Sequence, residues 1–219
     1  EYKRNVDMSE DFLFENDKRY GFFAMLDSMS YINRWGLMKN SRFENLKEHS
    51  FDVAVIAHAL CVLHNKINED IEGAVLPDPY KVQALALYHD CTEIITGDLP
   101  TPIKYKNEQI KAAYREVEND AANTLAGLLP NFMQDDYIKL LAPDLSSEEQ
   151  VLCKKLVKAA DRIAAYLKCL SERISGNCEF SSAQDTIRES IEKIDLPEVR
   201  LFMERFVPSY GLTLDEISN

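Results

Sequence analysis

Residues 151–174 read VLCKKLVKAADRIAAYLKCLSERI and carry a sustained helical periodicity. Apolar side chains recur at Leu152, Leu156, Ala160, Ile163, Leu167 and Leu170. Steps of three and four residues place these side chains on one face of a helix. Ser146-Ser147 followed by two acids predicts the helix start, because serine oxygens cap free N–H groups and acids suit the helix dipole. Gly176-Asn177 predicts its end.

Similar periodicity extends outward along the chain. It predicts helices at residues 20–37, 48–65, 79–89, 107–129, 132–141, 182–194 and 198–206. The predicted apolar face of residues 48–65 is formed by Phe51, Val55, Ala59, Val62 and Leu63. No segment shows strand alternation. We therefore predict an all-α fold with one domain at residues 20–219, preceded by an N-terminal extension at residues 1–19.

Composition narrows the class of protein. The 219 residues include 25 Lys+Arg against 37 Asp+Glu, a net charge of −12, whereas duplex nucleic-acid binders carry a basic footprint. A small phosphorylated substrate stays open, because a few cations or a metal can invert the field inside a cleft. The five cysteines are odd in number and lack CxxC spacing, so we expect buried thiols in a reducing compartment.

Localisation follows from what the sequence lacks. The acidic residues 1–17 contain no apolar segment of the signal-peptide type. No charge-free apolar run approaches the ~20 residues that span a bilayer. We expect a cytoplasmic protein that binds neither a membrane nor a nucleic-acid polymer.

Histidine and carboxylate residues form the candidate chemical site. His89-Asp90 ends the apolar run at residues 84–88, where an ionised carboxylate is costly unless it is paired or bound to a metal. A continuing helix would put Glu93 on the same face, and Asp98 comes just past the break at Gly97. Imidazole and carboxylate together suit Mn, Fe, Co, Ni and Zn. A purely structural His–carboxylate pair is the alternative.

Two more residues can complete such a site. His49 stands at the start of a predicted helix, and Asp161 lies among small alanines in the long helical segment. The alternative for Asp161 is a solvated helix edge with a local ion pair to Arg162. His58 and His64 are six residues apart, so they share no helix face and are interpreted as ordinary histidines.

The order His49, His89-Asp90, Asp161 resembles that of the HD-domain metal-dependent phosphohydrolase superfamily, an all-α fold. Longer segments resemble the bacterial 5′-deoxynucleotidase family (YfbR-like) over residues 22–218. They are INRW at 32–35, EHS at 48–50, YHD at 88–90, Glu93, TGDLPTP at 96–102, AYLKCL at 165–170, FVPS at 206–209 and LDEIS at 214–218. The acidic residues 1–19 depart from the family pattern.

The resemblance implies a single HD-domain helical bundle that removes phosphate from deoxyribonucleoside 5′-monophosphates and works as a homodimer. It implies that one divalent metal is bound by His49, His89, Asp90 and Asp161, with Co, Mn, Zn, Fe, Ni and Cu all open. It assigns the phosphate to Arg34 and Trp35, and catalysis to Glu93 and Asp98. The implied substrate contacts are Arg34, Trp35, Asp90, Asp98, Leu99, Pro100, Thr101 and Asp161.

Several alternatives stay open from the residues alone. Glu93 can act as a base toward water or as an acid toward the leaving 5′-oxygen. Trp35, as the only tryptophan, can be a core residue, and Lys104 is expected to be solvated. The protein can also be an HD-domain phosphohydrolase for another nucleotide or phosphorylated metabolite, or a non-catalytic helical sensor module.

Overall fold

The computed structural model describes residues 14–15, 18–99, 104 and 107–218. Ten α-helices lie within these residues: α1 Phe22–Asp27, α2 Leu46–Asn68, α3 Pro79–Leu87, α4 Glu93–Thr96, α5 Glu108–Ala126, α6 Asn131–Leu141, α7 Glu148–Ile174, α8 Ser181–Glu192, α9 Pro197–Arg205 and α10 Leu214–Ile217. Short 3-10 helices cover Ser28–Tyr31, Cys178–Phe180 and Val207–Gly211. Across the described residues, β-type pairing is limited to one isolated bridge between Asn33 and Asn45. The all-α prediction is confirmed.

The chain divides into two compact units. Unit 1 is drawn from Glu1–Met29 and Cys91–Ala142, and unit 2 from Ser30–Asp90 and Pro143–Asn219. Most of the predicted extension at residues 1–19 lies outside the described residues. The prediction of one domain over residues 20–219 stays a prediction.

The long helices of unit 2 begin at side-chain caps. Asn45 accepts a hydrogen bond from the Glu48 N–H at 2.9 Å and forms a capping box before α2. Ser147 forms a second capping box with Gln150 before α7, which confirms the predicted start of that helix. Asp78 caps α3, whose first residue, Pro79, has the backbone angle that a helix start requires. Local sequence therefore determines where these helices start.

The core of unit 2 lies where α2 packs against α3 and α7. On α2, Val53, Ala57 and Leu60 are fully buried, and Leu156 and Ile163 of α7 pack into the same cluster. Each large aliphatic side chain buried in this way contributes about 1.5–3 kcal/mol. The buried stripe of α7 follows the predicted periodicity.

The predicted apolar face of α2 is wrong in part. Phe51, Val55 and Val62 are 63%, 49% and 47% exposed, while the residues between them form the core face. Apolar side chains surround most of this helix, so periodicity alone does not select the inward face. Helix α2 is long and apolar enough to cross a membrane, but the central helix of a packed core has the same length and composition.

The predicted helix at residues 20–37 is also wrong in its second half. Helix α1 ends at Asp27, one 3-10 turn follows, and the chain then turns back on itself. The Leu46 N–H donates to the Ile32 carbonyl and the Arg34 N–H to the Glu44 carbonyl, both at 2.9 Å. These long-range bonds replace helical ones. The chain closes a loop that we call the Trp35 loop, residues 32–45.

A third difference concerns His89 and Glu93. Helix α3 ends at Leu87, and residues 88–92 form turns before α4 begins at Glu93. The two residues therefore do not share one continuous helix face, contrary to the prediction. Gly97, with φ +74°, ends α4 at the predicted break.

Unit 1 contains α1, α4, α5 and α6. Its Phe22 is fully buried and meets Tyr137 of α6 edge-on, with ring centroids 4.9 Å apart. The Thr96 hydroxyl lies 3.1 Å from the Tyr114 hydroxyl and links α4 to α5. Four of the five free cysteines, Cys61, Cys91, Cys153 and Cys169, are buried as predicted, whereas Cys178 is exposed.

Val53 and Val55 provide a matched test of the inward face of α2. We expect Val53→Ala to lower the free energy of unfolding by roughly 2 kcal/mol, because it opens a cavity in the core. The exposed control Val55→Ala is expected to stay within about 0.5 kcal/mol of wild type. Urea unfolding followed by circular dichroism measures both. Equal costs would contradict the assigned face.

Candidate metal centre

His49 lies in the first turns of α2, and its side chain is completely buried. Its Nε2 is 3.2 Å from Asp161 Oδ1 on α7 and 3.8 Å from Asp90 Oδ2. Capping by Asn45 fixes the start of α2 one turn earlier. The α2–α7 contact therefore brings together residues 112 positions apart in the sequence.

His89 and Asp90 follow the end of α3. His89 Nδ1 lies 2.7 Å from the Ala86 carbonyl oxygen, which can only accept, so Nδ1 carries a proton and donates it. This bond fixes the ring and turns Nε2 toward Asp90 Oδ2, 3.1 Å away. A backbone carbonyl commonly orients a metal-binding histidine in this way.

These residues fit a divalent metal. One ligand atom each of His49, His89 and Asp90 lies within 4.8 Å of the others, and Asp161 contacts this group through His49. His89 Nε2, which faces Asp90, is buried and makes no well-aligned hydrogen bond with any residue that the structure describes. Two imidazoles and two carboxylates form a mixed N/O donor set that suits borderline divalent ions.

The electrostatics of the cluster favour a cation. Burial disfavours a charged His89 ring, but the neighbouring carboxylates of Asp90 and Asp161 outweigh it and raise the pKa of His89 to about 9. Burial likewise opposes ionisation of Asp90, but His89, His49 and Arg34 hold the pKa of its carboxyl well below its usual range. The pKa of Asp161 is lowered too, against burial, by its hydrogen bond to His49. A bound metal would replace the proton that these imidazole and carboxylate groups share.

The solvated-edge alternative for Asp161 predicted an ion pair with Arg162. Arg162 instead donates from Nη1 to the Ser190 carbonyl at 3.0 Å. The Asp161 carboxylate contacts His49, and its side chain is 37% exposed. Asp161 is thus both in contact with the cluster and open on one side.

Arg34 and Trp35 lie in the Trp35 loop. Arg34 Nη1 donates to Glu44 Oε2 at 2.9 Å, and Trp35 Nε1 donates to the same oxygen at 3.2 Å. The indole packs edge-on against Phe180 with centroids 5.4 Å apart. Glu44 was missed among the predicted site residues, because its burial is seen only in the structure.

Glu93, Asp98 and Leu99 belong to unit 1. Glu93 is buried, and Lys104 Nζ lies 2.5 Å from its Oε1. Lys104 is only 17% exposed, so the expectation of a solvated lysine is wrong. Asp98 and Leu99 are half-buried, while Pro100 and Thr101 lie outside the described residues.

Comparison with known proteins identifies the family. Residues 21–210 match the family model described as 5′-deoxynucleotidase YfbR-like. The chain is 46% identical over 198 residues to a 5′-deoxynucleotidase of Yersinia pestis strain Pestoides F, covering 90% of this chain and 96% of that protein. A 5′-deoxynucleotidase of Yersinia pseudotuberculosis serotype O:3 matches with the same identity and coverage.

Solved structures share the fold. An HD-domain phosphohydrolase from Listeria innocua superposes with a TM-score of 0.68 at 22% identity, covering 90% of this chain and 92% of that one. The cyanophage S-2L HD phosphohydrolase DatZ, solved with dA and one catalytic Zn²⁺, superposes with a TM-score of 0.57 at 21% identity, covering 85% and 96%. Its sequence shows that the chain belongs to the YfbR-like 5′-deoxynucleotidase family.

Proposed function

We propose that the protein is a metal-dependent 5′-deoxynucleotidase, which hydrolyses deoxyribonucleoside 5′-monophosphates to deoxyribonucleosides and inorganic phosphate. The buried group of His49, His89 and Asp90, extended by Asp161, carries the proposal. Membership of the YfbR-like family supports the substrate class. The catalytic Zn²⁺ of the DatZ structure supports a metal requirement.

His49, His89, Asp90 and Asp161 would hold one divalent metal. Phosphate-monoester hydrolysis is very slow without catalysis. A divalent ion, when bound, polarises a phosphoryl oxygen and neutralises its charge. The carbonyl of Ala86 keeps the His89 ring oriented for this role. The partly exposed Asp90 and Asp161 would also face the substrate.

The phosphate would be bound by Arg34, with Trp35 beside it. A guanidinium group is planar and always charged, which suits phosphate oxygens. The charge of Arg34 is among the causes that lower the pKa of Asp90, so the two groups interact across unit 2. Arg34 thus contributes positive charge that acts on the Asp90 carboxylate.

Glu93 and Asp98 would act in catalysis, and Asp98 with residues 99–101 would line the nucleoside site. Glu93 would orient or deprotonate the attacking water, or protonate the leaving 5′-oxygen. Lys104, bonded to its carboxylate, keeps Glu93 in a fixed orientation. A pocket without room for a 2′-hydroxyl would favour deoxyribose.

We also propose a cytoplasmic homodimer. Phe51 and Val55 of α2 and Tyr80 of α3 form an exposed apolar face on unit 2. Burying these side chains against a second copy removes apolar surface from water. Neither a membrane nor a nucleic-acid polymer is expected as a partner for a chain of net charge −12.

Substrate profiling tests the reaction. After chelation and reloading with Zn, Co, Mn, Fe, Ni or Cu, phosphate release is measured with matched deoxy- and ribonucleoside monophosphates. We expect release from the deoxy series and little from the ribo series. Activity confined to another phosphate ester would indicate a different HD phosphohydrolase. Complete inactivity in metal-loaded protein would indicate a helical sensor module.

Ligand variants test the metal site without activity. A metal at about 100 times its Kd stabilises a protein by about 2.7 kcal/mol, which for this size raises Tm by roughly 5–10 °C. We expect that rise for wild type and for the control His58→Ala, which lies on α2 and packs on Tyr80. His49→Ala and Asp161→Asn should lose it. A full rise in either variant would remove that residue from the ligand set.

Glu93→Ala tests the assigned general acid or base. We expect kcat to fall by about 10²–10⁴-fold, the usual contribution of such a group. The metal-induced rise in Tm should persist, because Glu93 is outside the ligand set. Glu116→Ala, an exposed glutamate of the same unit, serves as the control. Loss of metal binding in Glu93→Ala would show that Glu93 is a ligand.

A further inference from the structure

The Trp35 loop, residues 32–45, is held at its closed end by backbone hydrogen bonds and by one carboxylate oxygen that two side chains share. Glu44 Oε2 accepts from both Arg34 Nη1 and Trp35 Nε1. The side chains of Arg34 and Glu44 are only 14% and 11% exposed. A guanidinium and a carboxylate with little access to water interact more strongly than an exposed pair. Glu44 thus fixes both residues to which phosphate binding is assigned.

Backbone geometry adds to this fixation. Trp35 has φ +59°, and it alone has a positive φ among the non-glycine residues that the structure describes. A bulky side chain in the left-handed region is strained and persists only where its surroundings enforce it. The Trp35 carbonyl accepts from the Met38 N–H at 2.9 Å and from Asn40 Nδ2 at 3.2 Å. The unusual conformation directs the indole toward Glu44 and Phe180.

A second carboxylate holds the far side of the same loop. Glu172 of α7 is 2% exposed and accepts from the backbone N–H of Ser41 at 2.9 Å and of Arg42 at 3.2 Å. Lys168 forms an ion pair with Glu172 and donates to the Arg42 carbonyl. Burial opposes ionisation, but hydrogen bonds from Lys168 and Ser41 keep the pKa of Glu172 well below its usual range. The loop is anchored to α7 by a charged group that stays ionised.

We propose that Glu44 is the positioning residue of the phosphate subsite: it holds Arg34 and Trp35 in place for a phosphate dianion, on a loop that Glu172 anchors. The proposal rests on the proposed function, since it deepens the part assigned to Arg34. A preset guanidinium loses little conformational freedom when phosphate binds. Because both hydrogen bonds end on one oxygen, glutamine can accept both through its amide oxygen.

The proposal predicts a difference between two substitutions of Glu44. Glu44→Ala removes the acceptor that Arg34 and Trp35 share, and we expect kcat/KM for a deoxyribonucleoside 5′-monophosphate to fall by about 10–100-fold. Glu44→Gln should stay within about threefold of wild type. Arg42→Ala is the matched control, because this arginine lies in the same loop with its side chain 81% exposed.

Inhibition constants separate positioning from general damage to the fold. Inorganic phosphate should inhibit Glu44→Ala and Arg34→Ala much more weakly than wild type, whereas a deoxynucleoside should inhibit all of them equally. Combining Glu44→Ala with Arg34→Ala should cost less than the product of the two single losses, because Glu44 acts in part through Arg34. Wild-type phosphate inhibition in Glu44→Ala, or equal loss of phosphate and deoxynucleoside inhibition, would overturn the proposal.

Phosphate binding can also be measured without turnover. In metal-loaded protein, inorganic phosphate should raise the Tm of wild type and Glu44→Gln, but not of Glu44→Ala. If wild type shows this rise and releases no phosphate from any deoxyribonucleotide, the proposed function fails while the role of Glu44 stands. If phosphate fails to stabilise wild type, or stabilises Glu44→Ala equally, the role of Glu44 is refuted.

Discussion

The contact between His49 and Asp161 joins the two longest helices of unit 2. Their side chains meet at 3.2 Å because α7 presents small residues, Ala160 and Ala164, in the core it shares with α2. Larger side chains would push the helices apart and separate the donor atoms. The packing that stabilises unit 2 therefore also sets the distance between donor atoms contributed by different helices. His89 and Asp90 follow the end of α3, which brings their side chains to the same cluster.

An acidic cluster that would hold a metal also repels a phosphate substrate. Asp90 and Asp161 carry negative charge in a partly dry site, and the whole chain has a net charge of −12. A phosphate dianion is attracted only if fixed positive charge outweighs those carboxylates. A bound divalent ion would supply two positive charges, and Arg34 would add a third. Arg34 Nη1 donates to Glu44, an acid outside the candidate ligand set.

Local signals made much of the fold predictable. Ser147 and Asp78 act within their own turns, so the starts of α7 and α3 could be predicted from neighbouring residues. The end of the predicted helix at residues 20–37 could not, because Arg34 and Ile32 bond to residues ten or more positions away. The role of Glu172 could not be predicted for the same reason, because its partner Ser41 lies 131 positions earlier in the sequence. The candidate ligands could be predicted from the sequence because the chain has few histidines and because these follow a family pattern. The residues that hold the Trp35 loop follow no such pattern.

The strained backbone of the Trp35 loop depends on the contacts that anchor the loop. A tryptophan with positive φ is unfavourable in isolation, so the loop would relax if its ends were free. Glu44 holds one side and the Lys168–Glu172 pair holds the other, and both acids are largely buried. A buried ion pair contributes little net stability, because desolvation offsets its attraction. Under our proposal its role is conformational specificity: Arg34 would be kept in one orientation before a phosphate arrives, which a flexible surface arginine cannot achieve.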